Sequence, residues 1–163
     1  MNALAKGLPK TNAMRILDRE KIAYRVHTYA HGGEAVDGMR VAALLGIDAA
    51  RIFKTLVTRG KSGQCYVFVI PAPAELDLKA AAACVGEKHV EMLHVKDLLP
   101  LTGYVRGGCS PIGMKKAFPT VIDRTAQDFE TIIVSAGKIG VQAELAPNDL
   151  RHAANAEFGD ITQ

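Results

Sequence analysis

Apolar residues along the chain change period several times, and each change marks an element. From Thr11 to Glu20 they recur at helical spacing, with Ala13, Ile16 and Leu17 on one side and Thr11 or Asn12 available as the cap. Tyr24 to Tyr29 alternates instead, which is the two-residue period of a strand. A glycine-rich polar turn follows, and Val36 to Leu45 returns to helix, with Val41, Leu44 and Leu45 on one stripe and Gly46 placed to stop it. Arg51 to Thr58 and Cys65 to Ile70 read as strands joined by a hairpin turn over Arg59 to Gln64. The second is apolar throughout, which predicts a central position. Asp77 to Val85 is an alanine-rich helix and Val95 to Leu101 a shorter one. Three strands then follow, at Thr120 to Asp123, Glu130 to Ser135 and Val141 to Glu144, and Pro147 opens a last helix from Asn148 to Ala156.

This order contains no regular strand–helix–strand repeat, no GxGxxG and no P-loop, which disfavours a doubly wound nucleotide fold. The pattern predicts one α/β (α+β) domain over residues 1–163. Its sheet is mixed and largely antiparallel, or a partial barrel, with helices outside. A chain of 163 residues, 48% hydrophobic, can bury a single core of that kind. No eighteen-residue apolar run and no leader-like start are present, so a soluble, cytoplasmic protein without membrane contact is expected. Cys65, Cys84 and Cys109 are too widely spaced for a zinc knuckle or a disulfide framework, and the five histidines lack metal spacing. No metal or cofactor is expected.

The net charge is only +3, which argues against a duplex-DNA-coating protein, but it is unevenly spread. Between Gly103 and Arg124 the cations Arg106, Lys115, Lys116 and Arg124 face one acid, Asp123, and this local excess equals that of the whole chain. The same stretch carries Gly103, Gly107, Gly108 and Gly113 around Ser110 and Pro111. Adjacent glycines let another molecule approach the main chain, and cations beside them suit a carbonyl or phosphate oxygen. A plain bulge between strands has the same composition.

Lys54 interrupts an apolar strand, sharing a face with Ile52 and Leu56 and opposing Phe53, Thr55 and Val57. It is either the wet face of that strand or a cation inside a cleft, where it would offer a compact charge to an oxyanion. Ser110 has no GxSxG context, and Cys109 has no histidine near it in sequence. A buried thiol and a thiol paired in space both remain open for Cys109. Tyr29 is a strand aromatic or a hydroxyl at a cleft rim.

Five short motifs stand in one order: His27, Thr28 and Tyr29; Phe53 to Leu56; Leu76 to Lys79; the loop from Gly103 through Gly107, Gly108, Ser110 and Pro111 to Lys116; and Ser135 with Gly137, Lys138, Gly140, Glu144 and Leu145. Together, from Thr11 to Ile161, they resemble the stand-alone bacterial YbaK/EbsC family, relatives of the editing domain inserted in bacterial prolyl-tRNA synthetases. The resemblance implies an editing-domain fold and hydrolysis of the ester between a wrong amino acid and tRNA, typically cysteine on tRNA-Pro. By position Lys54 matches the family's essential lysine, and Gly107 to Pro111 its carbonyl-holding loop, with Cys109 inside it. Tyr29 and Ser135 match pocket residues, and Arg106, Lys115 and Lys116 would face tRNA phosphates. The substrate's own thiol would attack its ester, and prolyl-tRNA synthetase is a partner through which specificity could be gained. Gln142 departs from the pattern, standing where known members carry an acid. That leaves Ala, Ser or Thr open as the amino acid, and a non-catalytic binder of tRNA ends as a further alternative.

Overall fold

A computed structural model describes residues 8–163. Helix α1 (Asn12–Arg19) begins where Thr11 caps it, its hydroxyl accepting from the Met14 N–H at 3.2 Å. Strand β1 (Arg25–Thr28) follows, then α2 (Gly38–Leu45), capped by Asp37 and stopped by Gly46 in the left-handed conformation. The expected hairpin is β2 (Phe53–Gly60) with β3 (Cys65–Pro71). Helix α3 (Leu78–Val85) takes its cap from Asp77. Strand β4 (Val90–Met92), helix α4 (Val95–Thr102) and strands β5 (Thr120–Asp123), β6 (Ile132–Lys138) and β7 (Val141–Leu145) come next, and α5 (Pro147–Ala153) and β8 (Ala156–Gly159) close the order.

Two strands were not visible in the sequence pattern. At three residues, β4 is too short to show a period, and β8 begins at Ala156, the residue at which the last helix was expected to end. Helix α5 stops at Ala153 because the chain reverses through Asn155, at φ 51°.

The strands form two sheets and no closed barrel. One is three-stranded and antiparallel in the order β1-β7-β6. The other is five-stranded in the order β4-β2-β3-β5-β8, with β3, β5 and β8 parallel to one another. A single parallel bridge between Ile52 and Ile133 joins the two sheets at one edge. Between them lies the main core. There Phe53, Val57, Val67, Val69 and Ile122 meet Met14, Leu17, Ile132, Val134, Ala143 and Leu145. The opposite face of the larger sheet, with Phe68 and Ile70, is covered by Ala81 and Ala82 of α3. This double covering explains why β3 is apolar at every position and buried throughout. Burying each large aliphatic side chain contributes about 1.5–3 kcal/mol.

Candidate functional site

Four elements and the loops beside them border a cleft of about 680 Å³. Strand β2 supplies Lys54 and Thr55, β6 supplies Ser135, and β7 supplies Gln142. Arg106, Gly107 and Cys109 come from the glycine loop, and Asp37 and Met39 come from the start of α2. Ser135 and Gln142 are direct cross-strand partners, so the pleat turns both the same way. A register irregularity between Ser135 and Lys138 then bends β6 away.

Lys54 is half-buried, and its Nζ donates to the Ala72 carbonyl at 3.1 Å. Among the described residues neither Lys54 nor Arg106 sits in an ion pair, so the cleft holds two cations that no carboxylate contacts directly. Among the described residues the buried hydroxyls of Thr55 and Ser135 have no hydrogen-bond partner, and the same is true of Tyr29. Unpartnered buried hydroxyls are costly, roughly 1–3 kcal/mol each, and concentrate where a ligand completes them.

The glycine loop is pinned from several sides. The Tyr104 hydroxyl donates to the Ile112 carbonyl at 2.6 Å, and Asn12 Nδ2 donates to the Gly113 carbonyl at 2.9 Å. The Ile112 N–H donates to Ser110 Oγ at 3.2 Å. Gly107 sits at φ 86°, and a Cβ there would stand 2.8 Å from the Cα of Ala35. A Cβ on Gly108 would stand 2.9 Å from the backbone of Lys138 and Ile139. Both glycines therefore let three segments of main chain close on one another, in addition to any access they give a ligand. The Gly108 N–H is engaged with the Val105 carbonyl at 3.0 Å, whereas among the described residues those of Gly107 and Cys109 meet no protein acceptor.

Burial pushes the Cys109 thiol up to about 12, with a hydrogen bond from Thr102 acting weakly the other way. The thiol is therefore protonated at neutral pH and is no nucleophile. Behind the cleft, on the face of the small sheet that carries Gln142, Glu144 gathers a polar cluster. His27 Nε2 lies 2.7 Å from one carboxylate oxygen, and Arg51 and Thr131 reach the other at 3.0 and 2.6 Å. Burial alone would raise the Glu144 carboxyl, but the hydrogen bonds from Thr131 and His27 and the charges of His27 and Arg51 outweigh it and hold the group below its ordinary value.

The expected site residues thus divide. Lys54, Arg106, Gly107, Cys109, Ser135 and Gln142 line one cleft. Gly108 and Ser110 are buried and do not line it, and Tyr29 also lies outside its lining, with its N–H bonded to the Gly140 carbonyl at 3.0 Å and its ring in edge contact with His31. Pro111 and Lys116 line a different hollow, while exposed Lys115 lies along Gly103. Sequence reasoning passed over Thr55, although it lies inside the Phe53 to Leu56 motif, and the Ala35 to Met39 wall, whose role depends on contacts far along the chain. Among the described residues no group of three or more His, Cys, Asp or Glu could hold a metal ion, and no helix is long and apolar enough to cross a membrane.

A family model described as an aminoacyl-tRNA editing domain matches residues 33–153. A relative from Enterococcus faecalis, provisionally named Cys-tRNA(Pro)/Cys-tRNA(Cys) deacylase EbsC, is 51% identical over 160 residues, 98% of each chain. A proline–tRNA ligase from Pelobacter propionicus is 26% identical over 98 residues, which cover 60% of this chain and 17% of the ligase. Among solved structures, a hypothetical protein superposes with a TM-score of 0.84 at 23% identity, covering 94% of this chain and all of that one. A protein provisionally described as a trans-editing enzyme for prolyl-tRNA synthetase superposes at 0.79 with 21% identity, covering 99% of both. The two superpositions bear on the fold alone, whereas the sequence matches bear on descent. The 51% identity to EbsC over 98% of the chain and the matched editing model place the chain in the aminoacyl-tRNA editing-domain family, within its YbaK/EbsC group.

Proposed function

We propose that the protein is an aminoacyl-tRNA deacylase that acts in trans on cysteine wrongly attached to tRNA-Pro. The observation that carries this reading is the composition of the cleft. Lys54, which no carboxylate contacts directly among the described residues, borders the cleft together with Thr55, Ser135 and the loop main chain of Gly107 and Cys109. Such a set suits a carbonyl that becomes an oxyanion next to a phosphorylated ribose. Lys54 engages the terminal-adenosine phosphate or the ester, and the N–H groups of Gly107 and Cys109 hold the carbonyl oxygen.

The protein supplies no nucleophile of its own in this scheme. No histidine lines the cleft, and Cys109 is held protonated. The substrate thiol provides the attack instead. Its sulfur bonds to the ester carbon as the bond to the ribose oxygen breaks, that oxygen recovers the proton the thiol gave up, and water opens the resulting thiolactone to free cysteine. An amino acid without a thiol cannot follow this route, which makes selectivity a property of the chemistry as well as of the pocket.

A second reading, deacylation of alanine, serine or threonine, is favoured by Gln142, which is buried in the cleft and carries no charge to meet a substrate ammonium. One panel separates the two. Purified protein is incubated with Cys-, Ala-, Ser- and Pro-tRNA(Pro), and selective loss of the cysteinyl ester is expected. Equal loss of all esters, or none beyond buffer, overturns the proposal. Salt-dependent tRNA binding without turnover would instead mark a binder of tRNA ends. Prolyl-tRNA synthetase is the proposed partner through which tRNA-Pro is selected.

A further inference from the structure

The pinned glycine loop has two sides. Gly107 and Cys109 line the cleft already described, whereas Pro111, Gly113, Met114 and Lys116 line a second hollow of about 940 Å³. Its opposite wall is the end of α5 and the start of β8, with Arg151 and Glu157. The starts of β3 and β5 and the end of α3 complete it. Its apolar lining comes from Val85, Met114, Phe118 and Val121. Two cations, Lys116 and Arg151, stand in it against one acid, and among the described residues neither is in an ion pair. Lys116 and Arg151 are both exposed.

We propose that this second hollow holds the acceptor arm of the same tRNA whose ester enters the cleft, with Arg151 and Lys116 on its phosphates. The inference rests on the tRNA deacylase reading and extends it to a surface and to Arg151, which no motif singled out. Three features carry it. Unpaired cations in a wide, mixed polar and apolar hollow suit the sugars and phosphates of a polyanion better than a small anion, which would need enclosing donors. One rigid loop walls both hollows, so a ligand long enough to pass it meets both without rearranging the protein. The span is bounded, because Lys116 stands nine positions after Gly107 and their separation cannot exceed about 32 Å.

The test uses the full chain with Arg151→Gln, and three probes: uncharged tRNA-Pro transcript, Cys-tRNA(Pro), and the 3′-cysteinyl ester of adenosine. The expected result is a salt dependence of transcript binding that is shallower by about one unit of log K per log salt, together with a KM for Cys-tRNA(Pro) raised roughly tenfold. Cleavage of the adenosine ester, which cannot reach the second hollow, is expected to stay at the wild-type rate. An unchanged salt slope and an unchanged KM with tRNA overturn the inference while leaving the deacylase reading intact. An equal loss on the adenosine ester also overturns it, because the change then acts through the fold. If wild-type protein cleaves neither ester, the deacylase reading fails, and the salt slope with uncharged transcript still decides whether this surface binds tRNA. Arg151→Lys is the control, expected to keep the slope.

Discussion

Lys54 Nζ donates to the carbonyl oxygen of Ala72 at 3.1 Å, so the charge is held by a neutral partner and stays available to an anion. Removing it costs the fold little, because the Ala72 carbonyl is left facing an open cleft. Lys54→Ala is expected to lower kcat/KM for Cys-tRNA(Pro) by about 100-fold or more and to shift stability by less than about 1 kcal/mol. Single-turnover deacylation beside thermal melting reads both, and retained activity removes Lys54 from the mechanism.

Thr55 presents the opposite balance. Its hydroxyl is buried without a partner, so Thr55→Val removes a desolvated group while keeping the shape. The variant is expected to be as stable as the parent or more stable by up to about 1 kcal/mol, with activity roughly tenfold lower. Loss of stability in urea titration would mean that the hydroxyl has a partner in solution.

The main chain packed against Gly108 leaves no room for a methyl group. In Gly108→Ala the added carbon would stand 2.9 Å from backbone atoms of Lys138 and Ile139, which cannot swing aside as a side chain could. A loss of about 2–3 kcal/mol is expected, seen as a lower urea midpoint with unchanged slope. A variant of parental stability would show that the loop and the β6–β7 turn are not in contact.

Glu144 is held below its ordinary value, and the sign of its effect on stability follows. The folded state binds this proton less readily than the unfolded chain does. The contribution is therefore complete above the unfolded value and is lost as pH falls through the folded one. Glu144→Gln is expected to lose about 2 kcal/mol at neutral pH, and the gap from the parent should close progressively in acid, below the ordinary glutamate value of 4.5. A gap that persists unchanged into acid would show that the amide fails for steric reasons.

Three thiols should react at very different rates. Cys84 is exposed, Cys65 and Cys109 are buried, and the Cys109 thiol is pushed up to about 12. A disulfide reagent under native conditions is expected to titrate one equivalent quickly, and Cys84→Ser should abolish that phase. Fast modification of Cys109 would contradict its protonated state in the cleft.

Much of the fold is legible in the chain because local rules and packing agree. Thr11, Gly46 and the apolar run of β3 all behave as their positions predict. What escapes is set by partners distant in sequence. Strands β4 and β8 owe their existence to ladders with β2 and β5, and nothing in their three or four residues announces it. The site divides in the same way. Chemistry marks Lys54 and the glycine loop, but a residue's type does not say which of two hollows it will line, so Arg106 and Lys116 look alike in sequence and part company in space. Thr55 escapes because an unsatisfied hydroxyl is a property of its surroundings.

The bridge between Ile52 and Ile133 has a bearing on all of this. Lys54 lies two residues beyond one member of that pair and Ser135 two residues beyond the other, on strands that diverge from the bridge into different sheets. The bridge acts as the pivot of a calliper whose tips are the lysine and the serine. At that pivot the two isoleucines pack in one buried cluster with Ala42 and Ala72. Neither isoleucine lines up with the polar side chains of the cleft by type, yet a change in their packing would move Lys54 and Ser135 relative to one another.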